Sequence, residues 1–148
     1  MIKTIFNAEN RAVRSFRIYS YVYNNVSKFF GYFLYQRAKL KYNFDIAPTA
    51  IIGKDFKIVH LGSIVVGRNA QIGSNCTINN NVTLGMKNQK DESMPVIGDN
   101  VYISTGAKLL GNIKIGNNCI IGANSVVNKS FEDSSIIAGI PAKKISQK

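Results

Sequence analysis

Residues 97–127 read IGDNVYISTGAKLLGNIKIGNNCIIGANSVV, and an aliphatic residue recurs in them every sixth position: Ile97, Ile103, Leu109, Ile115, Ile121 and Val127. The same rhythm extends toward the N-terminus. Ile46, Ile52 and Ile58 are six apart, and so are Val66, Ile72, Ile78 and Leu84. Four residues after each of these rungs stands a residue that is mostly small, as at Ala50, Ala70, Cys76, Val82, Val101, Ala107, Cys119 and Ser125. A period of six matches neither the 3.6 of a helix nor the 2 of a half-buried strand. It matches a triangular solenoid, in which each hexad makes one short side, three hexads make a coil, and coils stack by parallel strand pairing. A narrow prism of that kind fills only when a large rung and a small partner both point inward.

Composition divides the chain near Asp45. Of 148 residues with a formal net charge of +11, residues 1–44 hold eight Lys or Arg against one acid, Glu9, which is 8 − 1 = +7, and twelve of the fifteen aromatics. Two units follow: an N-terminal helical cap over 1–44 and a repeat domain over 45–148. Ala12, Phe16, Tyr19, Tyr23, Val26, Phe30 and Phe33 are spaced three to four apart, which predicts helix over 8–40. Asn24 and Asn25 interrupt it, and Ser27 offers a cap for a second helix. The helices are expected to close the open first coil, which would otherwise expose core and strand edge. Their basic and aromatic side chains also suit peripheral association with the inner face of a membrane. No nucleic-acid motif accompanies the charge, so a nucleic-acid partner is not expected.

No apolar run is long enough to span a bilayer, and MIKTIFNAENRAVRS lacks the apolar core of a leader, so the expected location is cytoplasmic. Cys76 and Cys119 both fall on the small inward position, as buried structural thiols.

The rhythm slips twice. Ile58 to Val66 is eight residues, and Leu84 to Ile97 is thirteen. Slips mark places where the chain leaves the prism, and function concentrates on such excursions. The first slip holds His60, the single histidine. Imidazole alone titrates near neutrality unperturbed, which makes His60 the candidate base. Asp45, fifteen residues earlier, lies close to one coil away and is the candidate carboxylate to orient it, with Asp55 a less well-placed alternative. The second slip is a polar loop over 86–96.

Asp45-Ile46-x-Pro48, His60-Leu61-Gly62, Ile64-Val65-Val66-Gly67, Val82-Thr83-Leu84-Gly85, Gly106-Ala107-Lys108, Leu110-Gly111-Asn112-Ile113, Ile121-Gly122-Ala123-Asn124-Ser125-Val126-Val127 and Ala138-Gly139-Ile140-Pro141-Ala142 together resemble the left-handed β-helix acyltransferases, most closely the serine O-acetyltransferase branch. The resemblance covers about two thirds of the chain. It implies a mainly β fold, a single-stranded left-handed parallel β-helix with a short N-terminal helical segment. It also implies acetyl-CoA as co-substrate, no metal, and a homotrimer with coenzyme bound between subunits. Asp45 and His60 take the catalytic role. Gly106, Ala107, Gly122 and Ala123 line the coenzyme groove, with Lys143 and Lys144 near its phosphates. A zinc enzyme on the same solenoid needs three histidines, which one per chain does not supply.

One departure bears on the acceptor. The Arg-His pair that the serine enzymes place before a Pro in the loop is Ser93-Met94 here. With Lys87 and Lys90 as substitute cations, Lys87, Lys90, Ser93 and Met94 form the candidate acceptor site. The lost pair and the basic N-terminus point to a sugar hydroxyl of a surface polysaccharide or its precursor as the acceptor. Serine is the alternative.

Overall fold

The computed structural model describes residues 7–147. Met1–Phe6, the start of the stretch read for a leader, and Lys148 lie outside the described residues. Two helices come first, α1 (Ala8–Asn25) and α2 (Lys28–Tyr42). The strands follow as β1 (Phe44–Ile46), β2 (Ile51–Ile52), β3 (Lys57–Ile58), β4 (Ile64–Val66), β5 (Gln71–Ile72), β6 (Thr77–Ile78), β7 (Thr83–Gly85), β8 (Val96–Ile97), β9 (Tyr102–Ile103), β10 (Lys108–Leu110), β11 (Lys114–Ile115), β12 (Ile120–Ile121), β13 (Val126–Val127), β14 (Ser135–Gly139) and β15 (Ala142–Gln147). They form the three faces of a parallel β-helix. Sheet A is β1-β4-β7-β10-β13, sheet B is β2-β5-β8-β11, and sheet C is β3-β6-β9-β12-β14, closed by antiparallel β15.

Register puts every predicted rung on a column. Ile46, Val66, Leu84, Leu109 and Val127 stack in sheet A. Ile52, Ile72, Ile97 and Ile115 stack in sheet B, and Ile58, Ile78, Ile103, Ile121 and Ile137 in sheet C. All are buried. Each full burial of such a side chain stabilises by about 1.5–3 kcal/mol relative to exposure. Cys76 and Cys119 are buried too, each with its sulfur 3.1 Å from a carbonyl, Gly98 and Glu132 respectively. Burial pushes both thiols up, so they stay protonated.

The corners have a device of their own. Asn43, Asn69, Asn75, Asn81, Asn100, Asn118 and Asn124 all have φ between 49° and 61°, and each lies three residues before a rung. Asparagine tolerates the left-handed region better than other side-chain-bearing residues, so it serves the tight turn between two sides. After Val127 the rhythm is disguised rather than lost. Phe131 bridges in parallel to Ile115 and Ile137 stacks on Ile121, so the chain continues around one further partial coil.

The ladder has a direction. Ala47 N–H donates to Val66 O, Ile51 to Ala70, Gly53 to Ile72 and Lys57 to Cys76, each from one coil to the next. The first coil therefore has carbonyls facing outward with no coil to satisfy them. Helix α1 supplies donors. Arg17 reaches Ile52 O and Gly53 O, Tyr19 Oη donates to Ile46 O at 2.6 Å, Ser20 Oγ donates to Pro48 O at 2.8 Å, and Asn24 joins it at 3.0 Å.

The helices differ in part from the sequence reading. Ser27 caps α2 as expected, accepting from Phe30 N–H at 3.3 Å. Ala12, Phe16 and Tyr19 are buried, but the stripe does not continue through the break. Helix α2 buries Gly31, Tyr35 and Ala38 instead, and Val26, Phe30 and Phe33 are exposed. The physical reason is Gly31. A Cβ there would stand 2.4 Å from the Tyr23 backbone, so the hairpin closes at that point and sets which face of α2 turns inward.

Tyr19→Phe leaves the Ile46 carbonyl buried without its donor. Unfolding in urea should show a loss of about 1–3 kcal/mol; an unmoved midpoint would mean that water satisfies the carbonyl.

Candidate active site

His60 follows β3 on the turn from sheet C to sheet A. The two extra residues of the slip are pinned at both ends. Val59 N–H donates to Ile78 O at 3.0 Å, and Ser63 N–H, at a left-handed φ of 48°, donates to Asn43 O at 2.9 Å. Leu61 tucks against the core, so the turn bulges and carries His60 outward, exposed.

The same corner recurs on each coil. His60 lies two residues after rung Ile58, Asn80 two after Ile78, Thr105 two after Ile103, Ala123 two after Ile121 and Gly139 two after Ile137. These five share one edge of the prism, each step about 4.8 Å along the axis. Thr105 Oγ donates to Asn80 Oδ1 at 2.8 Å along it. Asn79 and Asn80 escaped the sequence reading. Their only signal was position, one and two residues past a rung on the coil after His60. Buried Asn79 donates to Ile103 O at 3.2 Å and to Tyr102 Oη at 3.0 Å, which fixes that corner.

The edge gathers most of the expected coenzyme residues. Gly106 has φ 75°, and a Cβ there would meet the side-chain Oδ1 of Asn124 at 1.9 Å, so a larger residue would displace Asn124. Gly122 approaches Ala138, and Ala123 is exposed beside it. Ala107 is wholly buried in the prism, its N–H turned to Ser104 O and its carbonyl accepting from Thr83 N–H at 2.9 Å, so it packs under the edge rather than lining it. Lys143 and Lys144 are neighbours on β15 and point to opposite faces. Lys143 pairs with Ala138, on the side of Gly122, whereas Lys144 pairs with Ile137 and lies 3.8 Å from Glu132. The two lysines do not serve one phosphate together.

Asp45 is engaged elsewhere than expected. Its carboxylate accepts from Tyr35 Oη and from Lys39 Nζ at 2.5 Å, both on α2, and no hydrogen bond or ion pair joins it to His60. Tyr35 is held neutral, its hydroxyl pushed well above the ordinary phenol range by burial first and then by its bond to Asp45.

The loop leaves the prism between sheets A and B, a different corner from His60. Asn88 Oδ1 accepts from Lys90 N–H and Asp91 N–H, and Asp91 Oδ1 accepts from Ser93 N–H at 2.9 Å, so the loop is ordered by its own turns. Hydrogen bonds from Ser93 hold the Asp91 carboxyl below the usual range. Lys87 lies against Gly111, and Lys90 is exposed. Met94 is half-buried, with its thioether over Gly67. It fills the space under the loop. Among the described residues no group of three His, Cys, Asp or Glu is placed to hold a metal.

A six-residue parallel solenoid with an exposed histidine on one edge and a projecting loop on another defines a class. Residues 94–129 match the family described as bacterial transferase hexapeptide (six repeats). The solenoid is that of the hexapeptide-repeat, left-handed β-helix family. The chain is similar to proteins named serine acetyltransferase. It is 47% identical over 104 residues to that of Staphylococcus aureus strain Mu50 / ATCC 700699, covering 70% of this chain and 49% of the relative. It is 36% identical over 138 residues to that of Buchnera aphidicola subsp. Acyrthosiphon pisum (strain APS), covering 92% and 50%. The crystal structure of serine acetyltransferase in complex with coenzyme A from Brucella abortus strain S19 superposes with a TM-score of 0.91 at 34% identity, covering 96% of this chain and 57% of that one. The chain spans about half the length of the curated relatives it matches.

These relatives overturn the expectation of a polysaccharide hydroxyl as acceptor. That reading rested on the Ser93-Met94 pair and the basic N-terminus, and the relatives that share the solenoid are named for serine instead.

Lys39 and Asp45 are 43% and 34% exposed, so solvent screens their pair. Lys39→Ala should cost less than about 1 kcal/mol in thermal or urea unfolding. A larger loss would show that the pair anchors α2.

Proposed function

We propose that this chain is an acetyl-CoA-dependent O-acetyltransferase whose acceptor is the hydroxyl of serine. The observation that carries the reading is the 47% identity to a serine acetyltransferase across 104 residues of the solenoid, the part that bears His60 and its edge. The reaction joins the serine hydroxyl oxygen to the thioester carbonyl carbon and breaks the carbon–sulfur bond. The hydroxyl proton passes to His60 and on to the departing sulfur. A free hydroxyl is a weak nucleophile at neutral pH, which is the reason a positioned base is needed.

The donor lies along the edge marked by Gly106, Gly122 and Ala123, with Lys143 beside it. A trimer supplies the rest. Lys87, Lys90 and Ser93 stand on a different corner from His60 within one chain, and a neighbouring copy brings its loop to that edge. Closed rotational symmetry suits a three-sided prism. Asp45 steadies His60 only if its carboxylate leaves Tyr35 and Lys39 during the reaction. Otherwise it anchors α2.

The measurement is release of free thiol from acetyl-CoA with serine as acceptor. His60→Ala should lower turnover by at least about a hundredfold while leaving the unfolding midpoint in place; near-normal transfer would remove the mechanism. Asp45→Asn separates its two roles. A drop in turnover at unchanged stability assigns it to His60, and a drop in stability at unchanged turnover assigns it to α2. No thiol release above the serine-free blank would sink serine as the acceptor.

A further inference from the structure

Helix α2 presents an apolar ridge to solvent. Phe29 is 84% exposed and Leu40 86%, with Phe33 at 48%. At spacings of four and seven these three share one face of the helix. Phe30 flanks them, and Val26 precedes the helix fully outward. The ridge continues into a shallow groove of about 550 Å³ between the two helices, where Ile18 and Leu34 supply apolar walls and Arg37 and Lys41 the rim. A helix normally turns its apolar stripe inward. Here the inward face holds Gly31, Tyr35 and Ala38, and the larger apolar side chains are left outside.

The charge around this face has one sign. Residues 7–43 carry seven Lys or Arg and a single acid, Glu9. Arg17 is bound to first-coil carbonyls and Lys39 to Asp45. The other five, Arg11, Arg14, Lys28, Arg37 and Lys41, take part in no ion pair among the described residues and are exposed. A second copy seated on this face would set five cations against five, which like-charge repulsion disfavours. No described helix is long and apolar enough to cross a bilayer, so the face is suited to lying on a membrane rather than spanning it.

We propose that the α1–α2 hairpin docks on an anionic lipid surface. The Phe29–Phe33–Leu40 ridge enters the boundary between headgroups and acyl chains, and Arg37 and Lys41 contact lipid phosphates. Apolar burial and attraction to anionic headgroups act together in such helices, and each basic residue near the surface strengthens binding about fivefold. The docking leaves His60 and its edge, which lie on the solenoid, outside the contact. The inference is independent of which acceptor the chain uses.

The test is co-sedimentation of the full chain with vesicles of phosphatidylglycerol or of phosphatidylcholine, at low and high salt. Binding to phosphatidylglycerol is expected, at least about tenfold stronger than to phosphatidylcholine and weakened by salt. The double variant Phe29→Ser with Leu40→Ser, and separately Arg37→Ala with Lys41→Ala, should each weaken it about tenfold or more. The altered side chains are exposed, and an unchanged unfolding midpoint checks that each variant folds. Three results would overturn the proposal: no sedimentation with phosphatidylglycerol, equal binding to both lipids, or self-association in sedimentation velocity that the Phe29–Leu40 variant abolishes.

Discussion

Along its sides each coil of this solenoid passes its backbone N–H groups forward to the carbonyls of the next, and the rest of the structure depends on that direction. At the corners the bonds run backward, as from Asn75 N–H to Lys54 O. At the first coil the forward direction leaves acceptors with no preceding coil, at Ile46, Pro48, Ile52 and Gly53. A buried carbonyl without a donor costs as much as a lost hydrogen bond. Another strand would satisfy these groups but expose the same problem one coil further out. Side-chain donors end it. Arg17, Ser20 and Asn24 recur at spacings of three and four along one side of α1, with Tyr19 beside them, and a helix supplies these donors at the first coil. The other end is closed differently, by β15 turning back antiparallel on β14.

Lateral filling is the second constraint, and it couples sequence to site. The prism admits one large side chain per side, so an aliphatic rung every sixth residue leaves little freedom elsewhere in the hexad. Most corners put a left-handed residue three positions before the next rung; asparagine fills the majority, with Asp55, Ser63, Gly106 and Ser134 at others. Inserted residues cannot enter the prism without displacing a rung. They emerge at a corner instead. The two residues added after Ile58 push out His60, and the longer insertion after Leu84 builds the loop. Function on this fold is therefore carried by what the packing rejects.

The solenoid was legible because its packing rule is local and repeated. Each rung is visible in the sequence, and all of those quoted are buried in register. The helical hairpin was less legible because its burial is set by a single close approach. Nothing in the spacing of Phe30 and Phe33 shows that Gly31 lies against Tyr23 and turns those rings outward. Phe131 was hidden because the last coil is shortened and its rung is aromatic. In the site, His60 stood out by being alone at a slip. The Asp45 contacts did not, because they depend on where α2 lies. The packing of Met94 was hidden for a related reason: its neighbour is Gly67 on the preceding turn, which leaves a space for the thioether to fill.

The two insertions occupy different corners, and that has a consequence for any chemistry they share. His60 projects between sheets C and A, and Lys87, Lys90 and Ser93 project between A and B. Sheet A lies between them as a rigid wall of paired strands. Side chains of this length do not reach around it, and neither corner moves without breaking the ladder. One chain therefore carries His60 at one edge and the loop at another. A reaction that used both would need a second copy whose A–B corner faces the C–A corner of the first. The packing that expels the histidine also separates it from the loop.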